Sequence, residues 1–78
     1  MYIAIITSPV GNMGFTASTK ALLNKQIATN FVARRLYDLP TEWDADTVLA
    51  STEAGLWTAA VQQYFVASAT EQIHYATA

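Results

Sequence analysis

Apolar and polar positions change their period along the chain, and each change marks a predicted element. Tyr2 to Thr7 (YIAIIT) is short, β-branched and apolar, the pattern of a buried strand. The stretch from Ser8 to Gly14 holds Pro9, Gly11, Asn12 and Gly14 and reads as a turn-rich connection. From about Thr19 to Asp38, Leu23, Ile27, Ala28, Phe31, Val32 and Leu36 recur at helical spacing, which predicts a long helix capped by Thr16 or Ser18. Its opposite face, with Gln26, Thr29, Asn30, Ala33 and Tyr37, is neutral, as a helix covered on both sides would be.

Leu39-Pro40 should stop that helix, because proline disfavours helical geometry in the residue before it. Thr41 then reads as the cap of a second helix, with Glu42 and Asp44 in its first turn and Gly55 as its left-handed terminus. Trp57, Ala60, Val61, Tyr64 and Ala67 repeat the helical period. From Glu71 to Thr77 the pattern alternates, placing Ile73 and Tyr75 on one side, and predicts a strand that pairs with the first. A competing reading joins Val61–Val66 and Gln72–Ala76 as a β-hairpin. The expected fold class is α+β, a single domain over residues 1–78: N-terminal strand, long helix, one or two further helices, C-terminal strand. A mostly helical bundle is the alternative.

Composition narrows what such a domain can do. Of 78 residues only 13% are charged, against roughly 25% in an ordinary soluble domain. A chain this short buries only about 60–65% of the surface its unfolded form exposes. Weakly polar side chains must then share an exterior patch, the usual mark of a partner surface. Cysteine is absent, which excludes disulfide frameworks, thiolate metal sites and a thiol nucleophile. No basic segment precedes the uncharged N-terminal run, and Ala54 to Thr70 is short and polar for a membrane span, so the expected compartment is the cytoplasm.

Charge is segregated. Lys20, Lys25, Arg34 and Arg35 all precede residue 36, and the six acids all follow residue 37. The segment from Ala50 to Tyr64 faintly follows a helix-turn-helix, with Gly55 at the turn and Gln62 and Gln63 facing outward. With no cation after Arg35, that half has nothing to set against phosphates, so nucleic acid is the weaker expectation. Gly11 to Lys20 sits where a phosphate loop would but matches neither glycine-rich pattern. His74 is the sole histidine and no nucleophile motif surrounds Ser51 or Ser68, so no catalytic residue, metal site or cofactor is assigned.

The expected function is non-catalytic binding to another protein. Trp43 and Tyr37 would act as apolar anchors, and Asp38, Glu42, Asp44 and Asp46 as an acidic rim against a basic partner surface. Small proteins without chemistry of their own are frequent among phage and mobile-element inhibitors of host complexes, the anti-CRISPR type included, which sets the expected class. The rival readings are a self-associating subunit, a homodimer through Gln26, Asn30 and Ala33, and a small DNA-binding regulator.

Overall fold

A computed structural model describes residues 1–35 and 45–78. The described strands are β1 (Tyr2–Ser8), β2 (Gly11–Ala17) and β3 (Gln72–Thr77), in the antiparallel order β2-β1-β3. The helices are α1 (Lys20–Ile27), α2 (Ala33–Arg35), α3 (Ala45–Glu53) and α4 (Trp57–Ala67), with a π-helical segment (Ala28–Val32) joining α1 to α2. The fold is α+β, and the predicted pairing of the N- and C-terminal strands is present, Ala4 facing Tyr75 and Ile6 facing Ile73.

The structure adds a strand where the sequence predicts a loop. Ser8 and Gly11 close a two-residue turn, and β2 runs back along β1 with Phe15 opposite Ala4 and Met13 opposite Ile6. Glycine at position 11 takes φ +141, and the Ser8 hydroxyl donates to its carbonyl at 2.7 Å. Glycines and asparagine make Gly11–Ala17 a weak strand by propensity, and pairing with the isoleucine-rich β1 supplies what propensity lacks.

The long helix begins one residue later than the predicted caps allow. Thr19 is the N-cap, its hydroxyl accepting the Leu22 N–H at 3.1 Å, while Thr16 belongs to β2. Within the helix Ala33 N–H donates to the carbonyl of Ala28, five residues back. This wide turn keeps Ile27, Ala28, Phe31 and Val32 all buried. The predicted helix end at Leu39-Pro40 and the Thr41 cap lie outside the described residues.

Between α3 and α4 the chain turns as the glycine predicted. Gly55 has φ +77, its N–H donates to Thr52 O, and Leu56 N–H reaches back to Ser51 O at 2.7 Å. These two bonds form a Schellman terminus, which satisfies carbonyls that the end of α3 would leave orphaned. Residues 61–76 are therefore helix and then strand, and the hairpin alternative is wrong. Eleven-residue α4 extends an unbroken ladder that a hairpin arm would forfeit.

All the described helices stand on one face of the sheet. Ala4 and Ile6 of β1 and Ala17 of β2 meet Leu23, Ile27, Phe31, Val32, Val48, Val61 and Tyr64, with Phe15, Trp57, Phe65 and Ile73 packed around them. The smallest principal dimension is 17 Å, the thickness of one helix layer on one sheet. Among the described residues, the other sheet face has no layer over it.

Candidate functional site

The register sorts sheet residues into two faces, since directly opposed residues of antiparallel strands share a side. Ala4 and Ile6 point to the helices, so Met13, Phe15, Ile73 and Tyr75 do too. The outer face carries Ile3, Ile5 and Thr7 on the central strand. Asn12, Gly14 and Thr16 flank them on one side, and Gln72, His74 and Ala76 on the other. Ile5, at its centre, is 44% exposed. No lysine, arginine, aspartate or glutamate stands on that face.

Described charges lie elsewhere. Lys20, Lys25, Arg34, Arg35, Asp46 and Glu53 are all on helices, and Glu71, just before β3, is buried. Three of the cations on α1 and α2 lie over aromatic rings at the rim of the core. Lys20 sits 4.9 Å from the ring centre of Tyr75, Lys25 5.1 Å from that of Trp57, and Arg35 5.0 Å from that of Phe31. Their stems run along that rim while the charged heads stay within reach of solvent.

Edge strands decide what the sheet can accept. Ala78 N–H bonds Met1 O at 2.9 Å and the Met1 amine approaches Ala78 O, so the odd residues of β1 face β3. The even residues, ending at Ser8 beside the turn, face β2. Backbone groups of Ile73, Tyr75 and Thr77 then point away from the sheet on one edge, and those of Asn12, Gly14 and Thr16 on the other. Natural edges are usually blunted by charge, proline or a bulge. Neither β2 nor β3 contains a charged residue or a proline.

Beside the β3 edge runs a groove of about 500 Å³, lined by Gln62, Phe65, Val66, Gln72, Ile73 and His74. Val66 is 87% exposed on its wall. A second groove, about 470 Å³, lies at the start of α4 between Ala21 and the segment from Gly55 to Ala59.

Two polar clusters fix the β3 side to the helices. The Tyr64 hydroxyl donates to Glu71 Oε1 at 2.5 Å, Glu71 Oε2 stands 3.5 Å from Arg35 Nη2, and the Glu71 N–H donates to Ser68 Oγ. Burial, then the contact with Glu71, pushes the Tyr64 phenol well above its usual range. The Tyr75 hydroxyl donates to Asn24 Oδ1 at 2.7 Å, and Asn24 Nδ2 donates to Thr58 Oγ1. Burial raises the Tyr75 phenol as well.

Of the residues that the sequence nominates, Tyr37, Asp38, Glu42, Trp43 and Asp44 lie outside the described residues. Asp46 is exposed in the first turn of α3. Gln26 and Ala33 are half-buried and Asn30 exposed, along one side of the helix that the π segment interrupts. Gln62 is exposed and Gln63 half-buried, on a helix pair that does turn at Gly55. Sequence reasoning missed the outer sheet face. The alternation of Met13, Phe15 and Ala17 with Asn12, Gly14 and Thr16 was the signal that could have located it.

Among the described residues no His, Asp and Glu side chains group as a metal site requires, and no helix is long and apolar enough to cross a membrane. No protein-family model matches the chain, and no curated protein or solved structure shows a significant match to it.

Proposed function

We propose that this protein works without catalysis, by binding another protein through its sheet side. The observation that carries the reading is the segregation of charge. All described cationic side chains and exposed acidic side chains stand on the helical layer, while the outer sheet face and both edge strands carry no charged side chain. A surface depleted of charge, with apolar residues at its centre and polar ones around it, has the composition of an interface. Ile5 and Ile3 would be the centre, and Asn12, Thr16, Gln72 and His74 the rim. A binder with no chemistry of its own acts by occupying a surface, which is how inhibitors of larger complexes act. Location in the cytoplasm belongs to the same proposal.

The test is affinity capture from the native cell with three forms of the chain. Wild type and Asp46→Lys/Glu53→Lys, altered on the helical layer, should retain the same partner. Ile5→Lys/His74→Lys, which puts two cations on the sheet, should lose it with unchanged circular dichroism. Loss on the helical layer and retention on the sheet would move the interface to the acidic stretch around Asp46.

A further inference from the structure

We infer that the β3 edge takes an extended segment of the partner as a fourth strand, and that this segment carries an acidic residue two positions before an apolar one. The inference rests on the protein-binding reading above and names the partner's chemistry. Three observations converge on it.

The first is the row of outward backbone groups at Ile73, Tyr75 and Thr77, unpaired among the described residues, on a strand with no charge, proline or bulge to turn a neighbour away. Only another extended main chain supplies matching donors and acceptors at that spacing. The second is the groove on the helix side of the same edge, where Phe65, Val66 and Ile73 would receive a side chain from the incoming strand. The third is Lys20, whose ammonium hangs over the Tyr75 ring.

These features fix a sequence pattern. Ile73 and Tyr75 are two residues apart on the same face, so the strand residues opposite them also share that face. The one opposite Ile73 meets the apolar groove. The one opposite Tyr75 meets the Lys20 cation. Antiparallel addition, the more stable pairing and the one β3 already makes with β1, gives the order acidic–x–apolar from N to C terminus.

A second copy of this chain fits the edge poorly. Paired about Tyr75, two copies would bring two Lys20 ammoniums together over adjacent rings. Each copy's inward side chains are also engaged already, Tyr75 with Asn24 and Ile73 with its own core, leaving none to fill the groove.

The experiment uses the full chain, made by total synthesis, with acetylated and amidated nine-residue peptides as probes. The peptides share a threonine-rich strand background and differ at two central positions: glutamate–x–valine, lysine–x–valine or glutamate–x–serine. The first should bind, with new protection of the Ile73, Tyr75 and Thr77 amides by NMR. The lysine peptide should bind about five-fold more weakly, as a partly screened charge contact allows. N-methylation of Tyr75, which removes one outward N–H, should weaken the glutamate–x–valine peptide about ten-fold. The same modification at Gly14, on the opposite edge, should not. Should N-methyl-Tyr75 perturb folding, Val66→Lys, at an exposed position, serves in its place with the same expected loss.

No binding by any peptide, equal binding of all three, or protection confined to β2 would overturn the inference. So would a dimer of the free chain with protected β3 amides, which would make a second copy the occupant. Failure of the two readings is distinguishable. If Ile5→Lys/His74→Lys loses the cellular partner while N-methyl-Tyr75 and Val66→Lys keep it, strand addition is wrong and sheet-side binding stands. If none of them loses it, sheet-side binding falls too.

Discussion

Tyr64→Phe should be a costly substitution for one that removes a single oxygen. The phenol donates to Glu71 Oε1, and both side chains are buried, Tyr64 2% and Glu71 9% exposed. Deleting the hydroxyl leaves a desolvated carboxylate short of a donor, and hydrogen bonds to charged groups are worth about 1.5–3 kcal/mol. Arg35 offers weak compensation, because its guanidinium is 3.5 Å away and its side chain 39% exposed, so solvent screens the pair to ~1 kcal/mol or less. The expected loss is about 2 kcal/mol, a large share of the roughly 4–12 kcal/mol that a domain of this size holds. With a urea dependence of about 1 kcal/mol per molar, the midpoint should fall by about 2 M. Arg35→Gln should cost less than half as much. In the Glu71→Gln background Tyr64→Phe should cost about 1 kcal/mol less than in wild type, because a neutral amide tolerates the missing donor better. A loss for Tyr64→Phe below about 0.5 kcal/mol, or an Arg35→Gln variant that is the less stable of the two, would refute the reading that the Tyr64–Glu71 bond ties α4 to the residue that leads into β3.

Alkaline pH should act through the same groups. Folding holds the phenols of Tyr64 and Tyr75 above their ordinary value of 10.0, so the unfolded chain loses those protons first. Stability should therefore be flat below about pH 10 and fall as pH rises beyond it, and Tyr64→Phe should flatten part of that fall in urea titrations. An unchanged slope would remove Tyr64 as its source. Gly55→Ala should cost about 1 kcal/mol in thermal unfolding, from the left-handed backbone alone, since an added Cβ would meet the Trp57 ring at an ordinary 3.8 Å. A neutral result would mean that the α3–α4 turn is not held as described. Ile27→Ala, fully buried where the helix meets the sheet, should cost about 3 kcal/mol, whereas Leu22→Ala, 48% exposed, should cost under about 0.5 kcal/mol. Similar losses for the two would contradict the assigned core face.

The core was legible in the sequence because helical spacing is a strong signal over fifteen or more residues. Leu23, Ile27, Ala28, Phe31 and Val32, read as one face, are all buried, and Ile73 and Tyr75 do point inward together. Gly55 was legible for a different reason, since a positive φ at a helix end strongly favours glycine. β2 was hidden because Gly11, Asn12 and Gly14 carry loop propensity, and what makes them a strand is pairing with Ser8, Thr7 and Ile5 of β1. The π segment left no trace either; its Phe31 packs against Tyr64 and Phe65, residues more than thirty positions away, at ring-centre distances of 5.5 and 5.8 Å.

The binding surface was half legible. A charge fraction of 13% announced an uncharged patch without saying where. Trp43 and its acidic neighbours stood out as single residues do, by type. The outer sheet face is made of ordinary residues, such as Ile5, Gly14 and Ala76, that become a surface only once register puts them side by side.

Amide hydrogen exchange on the free chain and on its complex with the captured cellular partner tests the central claim most directly. Sheet-side binding predicts that slowed exchange on complex formation is concentrated in β1–β3, strongest at Ile73, Tyr75 and Thr77, with the exposed turns of α3 unchanged. Slowing confined to the helices, with the three strands exchanging as in the free chain, would contradict it.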